Sequence, residues 1–177
     1  PSDLKKIPSI VTTSTGIDFQ IYTPTYKEFV LLMKRGPQII YPKDVGQIII
    51  ESNINNSSNV LEIGTGSGAL TLFLYSLLQN SGKLYSLDSS KVNQRRAKKT
   101  ISRYISTYSK EAADVSFIHK ELENFNFKNL EYKIDAIITD VPEPWDFFIK
   151  NKIHTNLNWV SYLPSMSQVI RINDTLK

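Results

Sequence analysis

Several residue types are absent or scarce in this chain of 177 residues. It contains no cysteine, which excludes disulfides, cysteine-zinc sites and thiol nucleophiles. The two histidines, His119 and His154, lack the spacing of metal ligands, so we expect no metal site. No apolar run approaches the roughly 20 residues that span a bilayer, and no signal peptide opens the sequence. We therefore expect no membrane association and a cytoplasmic location, with a mitochondrial location left open because a presequence could have been removed before Pro1.

Glycine is also scarce, yet three of the seven glycines fall within five residues, at Gly64, Gly66 and Gly68. They follow an apolar strand pattern at residues 59–63 and precede an apolar helix pattern. Such a turn brings bare backbone against a nucleotide-like ligand, because a Cβ there would collide with it. Dinucleotide-binding turns have the spacing G-x-G-x-x-G, whereas these glycines alternate behind a carboxylate, Glu62. This form resembles the first motif of class I S-adenosylmethionine (SAM) methyltransferases.

The chain alternates between strand and helix patterns after a short β-rich start. Residues 10–22 are predicted as a hairpin, and Thr23-Pro24 as the start of a helix. Later strands are predicted at 59–63, 83–87, 115–118, 134–139 and 159–163. Repeated β-α-β units imply a Rossmann-like parallel sheet with helices on both faces, which binds ligands at the carboxyl ends of its strands. We therefore predict an α/β fold.

Acidic side chains follow two of the predicted strands where an adenosine could bind. Asp88 closes the second strand, and a carboxylate there can accept both ribose hydroxyls. A helix N-cap is the alternative interpretation of Asp88. Glu121 follows the third strand and can bind an adenine amino group, with Leu122 against the ring. Together with the glycine turn, these residues predict an adenosine site.

The fourth predicted strand ends at Asp140, which begins the segment 140–145, Asp-Val-Pro-Glu-Pro-Trp. Two prolines stiffen this segment, so that a carboxylate can face a methyl donor without an ordering cost. Trp145 can pack beside a flipped-out base. The alternative is a strand-exit turn with no chemical role.

Positive charge is concentrated in one part of the chain, although the net charge is only +4. A helix predicted at about 91–108, together with the residue shortly after it, carries Lys91, Arg95, Arg96, Lys98, Lys99, Arg103 and Lys110. This cluster is compatible with a nucleic-acid partner or with a solvated helix face, and the sequence leaves both open.

Three segments resemble the tRNA (adenine-N1)-methyltransferases that act on adenine 58 of the T-loop. They are residues 35–44 (RGPQIIYPKD), 61–71 (LEIGTGSGALT) and 140–145 (DVPEPW). The Tyr-Pro-Lys-Asp part of the first segment discriminates most, because other SAM enzymes lack it. The resemblance implies SAM as cofactor, tRNA as substrate and a homotetramer for the full-length protein.

The resemblance also implies residue roles. Asp140 would contact both the amino edge of the target adenine and the cofactor, and Tyr41 would line the pocket and help to hold the base. The remaining cofactor contacts would come from Ile40, Glu62, Gly64, Gly66, Ser67, Gly68, Ala69, Leu70, Asp88, Asn93, Glu121 and Leu122.

Two domains are expected from the same resemblance: residues 1–23 as a remnant of an amino-terminal β-domain, and residues 24–177 as the methyltransferase domain. The closing antiparallel hairpin of a class I sheet is missing, so we expect a truncated chain. Two other functions stay open at this stage. One is a SAM enzyme acting on a protein or small metabolite, and the other is a non-catalytic tRNA-binding partner subunit.

Overall fold

The computed structural model describes residues 8–33, 36, 38–79, 82–109, 112–151 and 157–177. The chain divides into two compact units, Pro1–Lys34 and Arg35–Lys177. The sequence places a domain boundary earlier, after residue 23. His154 and Lys110 lie outside the described residues. None of the helices in the described ranges is long and apolar enough to cross a membrane.

The described part of the first unit contains a β-hairpin, as the sequence predicts. Strands β1 (Ser9–Thr12) and β2 (Asp18–Ile21) pair antiparallel. The turn between them contains Gly16 at a φ of 81°. This left-handed conformation is readily available only to glycine, which explains the turn signal in the sequence.

Helix α1 (Tyr26–Leu31) begins later than the sequence predicts. The expected N-cap at Thr23 is wrong, because the cap is Thr25. The Thr25 hydroxyl accepts a hydrogen bond from the backbone N–H of Glu28 at 3.3 Å, and the Glu28 carboxylate accepts one from the backbone N–H of Thr25 at 2.7 Å. This reciprocal capping box satisfies two N–H groups that would otherwise lack partners, which favours the later start.

The second unit contains a five-stranded sheet and five helices among its described residues. In chain order they are α2 (Pro42–Ser52), β3 (Asn59–Ile63), α3 (Ala69–Leu78), β4 (Lys83–Asp88), α4 (Lys91–Tyr108), β5 (Asp114–His119), β6 (Ala136–Thr139), α5 (Pro144–Asn151), β7 (Asn158–Ser161) and α6 (Met166–Thr175). Two short 3-10 turns, Leu122–Asn124 and Phe127–Asn129, lie between β5 and β6. The five predicted strands are therefore confirmed, with small shifts at their ends.

All neighbouring strands of this sheet run parallel, in the order β5-β4-β3-β6-β7. From β3 the chain moves outward through β4 to β5, and then returns to the other side of β3 for β6 and β7. Because crossovers between parallel strands are right-handed as a rule, this strand order puts the helices of the two halves on opposite faces of the sheet. The carboxyl ends of β3 and β6 thus form the topological switch point, where open α/β sheets bind ligands.

Burial of the central strands explains their nearly continuous apolar sequence. Val60, Leu61 and Ile63 of β3 are at most 1% exposed, because helices cover both faces of the sheet. Leu61 and Ile63 belong to a core cluster with Ile137 of β6 and Phe147 of α5. This packing fixes the two strand ends that carry the candidate site.

Candidate active site

A cavity of about 430 Å³ lies at the carboxyl edge of the sheet. Its volume falls within the usual range of small-molecule sites. Seven of the predicted site residues line it: Gly64, Gly66, Asp88, Asn93, Glu121, Leu122 and Asp140. The fold thus brings the ends of β3, β4, β5 and β6 to one cavity, as expected for a parallel sheet.

The glycine turn after β3 passes directly against the exit of β6. The backbone N–H of Gly64 donates to the carbonyl oxygen of Leu87 at 2.8 Å, and the N–H of Asp140 donates to that of Ile63 at 2.8 Å. A Cβ on Gly64 would lie 2.3 Å from the carbonyl oxygen of Asp140. Only a residue without a side chain fits here, so bare peptide lines this part of the cavity.

The Asp88 carboxylate is held in place by three N–H donors. Its Oδ2 accepts from the backbone N–H of Gly66 at 2.9 Å and from the Asn93 amide at 3.2 Å. Its Oδ1 accepts from the backbone N–H of Ser90 at 2.7 Å. Ser90 itself is the N-cap of α4, so the alternative interpretation of Asp88 as the cap is wrong. An ionised carboxylate has about four lone-pair positions, so Asp88 keeps acceptor capacity towards the cavity.

Asp140 lines the opposite side of the cavity, directly after β6. Burial raises the pKa of its carboxyl group above the ordinary value. Its loop is anchored from α6, because the Gln168 side-chain amide donates to the carbonyl oxygen of Pro142 at 2.9 Å. Asp140 is therefore a partly desolvated acceptor on a fixed loop.

Glu62 lies behind the turn rather than at the cavity. It is fully buried, and its two carboxylate oxygens accept from the Thr71 hydroxyl at 3.0 and 2.8 Å. Oε2 also accepts from the Ser86 hydroxyl at 2.5 Å, and Ser86 lies 2.7 Å from the Thr65 hydroxyl. Burial raises the pKa of Glu62 to about 8, despite these hydrogen bonds. Glu62 therefore does not line the cavity. It links β3, α3 and β4 beneath the glycine turn through these hydrogen bonds, and its predicted cofactor contact stays a prediction.

Six other predicted residues are absent from the cavity lining: Ile40, Tyr41, Ser67, Gly68, Ala69 and Leu70. Ile40 is buried, and Tyr41 is about half exposed as the N-cap residue of α2. A Cβ on Gly68 would lie 2.8 Å from the Cβ of Ala97, so this glycine lets α4 approach the turn. The ligand-binding roles of these six residues stay predictions.

The expected position of Trp145 beside a base is wrong. Trp145 belongs to α5 and is only 3% exposed. The guanidinium carbon of Arg171 in α6 lies 4.6 Å from its ring centroid, in cation–π geometry. The apolar side chains at Trp145 and Phe148 are three residues apart, and this helical spacing was the signal in the sequence for a buried face.

Sequence reasoning also missed several residues of the cavity, among them Ser89, Lys120, Asp146 and Lys150. Asp146 and Lys150 lie four residues apart in α5, on one helix face, and become visible as site candidates only when residues 144–151 are recognised as helical. Among the described residues there is no group of three or more side chains that could hold a metal ion.

Comparison with known proteins identifies the family. Residues 19–177 match the family described as tRNA methyltransferase complex GCD14 subunit. The chain belongs to this family. One similar protein is the tRNA (adenine(57)-N(1)/adenine(58)-N(1))-methyltransferase TrmI of Methanocaldococcus jannaschii, which is 31% identical over 182 residues covering 92% of this chain and 64% of that protein. Another is the tRNA (adenine(58)-N(1))-methyltransferase TrmI of Thermus thermophilus, which is 28% identical over 165 residues. The match covers 92% of this chain and 62% of that protein.

Solved structures agree with this family assignment. The tRNA (m1A58) methyltransferase TrmI of Aquifex aeolicus has a TM-score of 0.69 and 31% identity, and the match covers 88% of this chain and 60% of that one. A SAM-dependent O-methyltransferase of Thermotoga maritima has a TM-score of 0.77 at 24% identity, and the match covers 96% of this chain and 61% of that one. At this identity the match shows the fold alone. The predicted fold class and family resemblance are confirmed. The chain spans just under two thirds of the length of the curated relatives named above.

Proposed function

We propose that this chain transfers a methyl group from SAM to N1 of adenine 58 in tRNA. The observation that carries the proposal is that Asp140, the glycine turn and Asp88 line one cavity at the switch point of the sheet. Membership of a tRNA methyltransferase family supports tRNA as the substrate. The names of the similar proteins support adenine 58 as the target. The resemblance further supports a homotetramer, which light scattering would test.

The residues at the cavity fit the cofactor that the family and fold imply. A Cβ on Gly66 would meet no atom within 4 Å, so the bare turn leaves open space for a ligand beside Asp88. Asp88 offers acceptors for ribose hydroxyls, and Glu121 with Leu122 offers an acceptor and an apolar surface for adenine. When bound there, SAM supplies an electrophilic methyl group on a positively charged sulfur.

The proposed work of the protein is alignment and electrostatic stabilisation. Adenine N1 carries a lone pair at neutral pH, so no strong base is needed. The Asp140 carboxylate can accept a hydrogen bond from the exocyclic amine of the target adenine. It can also stabilise the positive charge that develops on the ring, and its partial burial strengthens this interaction. The Gln168–Pro142 hydrogen bond keeps the carboxylate in position before the substrate arrives.

The direct test is Asp140→Asn, which keeps the size of the side chain and removes its charge. We expect methyl transfer to fall at least 100-fold, the scale of losing one charge-stabilising group, while SAM affinity by calorimetry changes only severalfold. Transfer of labelled methyl groups is measured on tRNA with adenine 58 and on the same tRNA with guanine there. Unchanged turnover in the variant would remove Asp140 from the mechanism, and equal labelling of both RNAs would contradict adenine 58 as the target.

The pH dependence provides a second readout of the same group. Because the pKa of Asp140 is raised, the ionised form is lost at a higher pH than for an ordinary aspartate as the solution is acidified. Single-turnover rates should therefore fall on the acid side through a pKa above the ordinary value of an aspartate. The Asp140→Asn variant should lack this acid limb.

A further inference from the structure

Helix α4 holds the entire positive excess of the chain. Six of the 21 Lys and Arg residues lie in its 18 residues, and it contains no Asp or Glu. Outside α4 the remaining 15 Lys and Arg are outnumbered by the 17 Asp and Glu of the chain. A solvated helix face in a lysine-rich protein would instead carry both signs of charge.

Four of these cations form one ridge along the exposed side of the helix. Lys91, Arg95, Lys99 and Arg103 follow each other at intervals of four residues and are all exposed. Residues four apart lie on the same helix face, about 6 Å apart along the axis. The buried side of α4, with Gln94, Ala97 and Ile101, faces away from this basic ridge.

The arrangement disfavours the helix that carries it. Like charges four residues apart repel each other, and a lysine as the first residue of a helix opposes the helix dipole. No ion pair to a carboxylate is found for Lys91, Arg95 or Lys99 within the described ranges, where the recorded pairs are Lys43–Asp44, Lys83–Asp114 and Lys177–Asp174. The charges of Lys91, Arg95 and Lys99 are thus available to an external anion.

The ridge begins at the rim of the candidate active site. Lys91 follows directly after Ser90, the N-cap, and Asn93 in the first turn of α4 lines the cavity. Lys120 adds a further cation to the cavity lining. From Lys91 to Arg103 the ridge extends over about 18 Å. A repeated row of exposed cations leading away from a cavity matches the backbone of a polynucleotide chain better than a single small anion.

We propose that the basic ridge of α4 binds the phosphate backbone of the RNA whose target base enters the cavity. This inference rests on the proposed function, because it assigns a surface to the RNA substrate proposed above. The ridge contributes affinity and orientation without reading the base sequence. It also explains why the chain keeps a charge pattern that disfavours its own helix.

The test compares three variants of this protein. R95Q/R96Q/K99Q removes two cations of the basic ridge, Arg95 and Lys99, and the adjacent exposed Arg96 of α4, and none of the three lines the cavity. R95K/R96K/K99R keeps the charges, and K128Q/K133Q/K177Q removes three exposed lysines elsewhere as the matched control. Glutamine has nearly the helix propensity of lysine and arginine, so we expect the first variant to melt no lower than the wild type.

The measurement is tRNA affinity by fluorescence anisotropy between 50 and 200 mM salt. We expect R95Q/R96Q/K99Q to bind tRNA about tenfold or more weakly at low salt. The slope of log K against log salt should decrease by about 2–3. The charge-retaining variant should match the wild type, and the matched control should keep its slope. Calorimetry with S-adenosylhomocysteine should give the same affinity for all four proteins.

Several outcomes would overturn the inference, and they separate it from the proposed function. If the wild type methylates tRNA but R95Q/R96Q/K99Q keeps the same salt slope and KM, the ridge is not the RNA surface while the function stands. If the wild type binds S-adenosylhomocysteine but no tRNA, both the RNA role of the ridge and the proposed function fail. Preferential binding of the wild type to phosphatidylserine vesicles over tRNA would assign the ridge to a membrane surface instead.

Discussion

Gly64→Ala tests the closest backbone approach in the site. The added Cβ would lie 2.3 Å from the carbonyl oxygen and 3.0 Å from the carbonyl carbon of Asp140, and 3.2 Å from Cγ1 of Val141. Two of these three neighbours are backbone atoms, so no side-chain rotation can relieve the contact. Gly64 also has a φ of 101°, which is strained for any residue with a side chain. The substitution must therefore push β3 and β6 apart at the switch point.

The expected cost combines two effects. Overpacking a tight site costs about 1–3 kcal/mol, and a positive φ in a residue with a Cβ costs about 1–2 kcal/mol. Gly64→Ala should thus lower the free energy of unfolding by roughly 2–5 kcal/mol. For a chain of this size, that corresponds to a decrease in melting temperature of roughly 4–20 °C.

Gly66→Ala is the matched control, because Gly66 also has a positive φ of 51° but no atom within 4 Å of its Cβ. Its free energy of unfolding should therefore fall only by the cost of the positive φ, about 1–2 kcal/mol. Its methyl group lies at the cavity, so its affinity for S-adenosylhomocysteine should fall. Urea unfolding and calorimetry on both variants measure these effects. If Gly64→Ala is no less stable than Gly66→Ala, the close approach of the turn to β6 is wrong.

Two further predictions concern stability alone. As the pH rises from about 5 to about 8, the free energy of unfolding of Glu62→Gln should increase by a few kcal/mol relative to that of the wild type. The reason is that the pKa of Glu62 is raised to about 8, so the folded wild type holds a proton that the unfolded chain releases. A difference between the two urea midpoints that stays constant with pH would contradict this. Gly46→Ala in α2 should raise the free energy of unfolding by about 0.5–1 kcal/mol, because no atom lies within 4 Å of the new Cβ, and a lower urea midpoint would refute it.

Local sequence signals predicted those parts of the fold that depend on near neighbours in the chain. The alternation of strand and helix, the long helix at 91–108 and the hairpin before α1 all follow from short-range apolar periodicity and turn residues. The start of α1 differed because two residues could cap it, and the reciprocal bonds of Thr25 and Glu28 outweigh the proline signal at Pro24.

Side-chain burial was the part that the sequence left undecided. An acidic residue beside a glycine turn has the same local pattern whether it faces a ligand or the interior. Glu62 faces the interior because Thr71 of α3 and Ser86 of β4 supply hydroxyl donors to it. Trp145 is buried because α6 covers it with Arg171. These partners lie 9 to 26 residues away along the chain, beyond the reach of a local pattern.

The sequence by itself determined that a glycine turn follows a buried strand, that acids end the neighbouring strands and that one helix carries the positive charge. These features need only the identity of residues close together in the chain. Tertiary structure alone decided that Gly64 and Asp140 meet, because β6 pairs with β3 on the side opposite β4. That choice depends on how all five strands and their helices pack, since burial of their apolar faces is a property of the whole sheet.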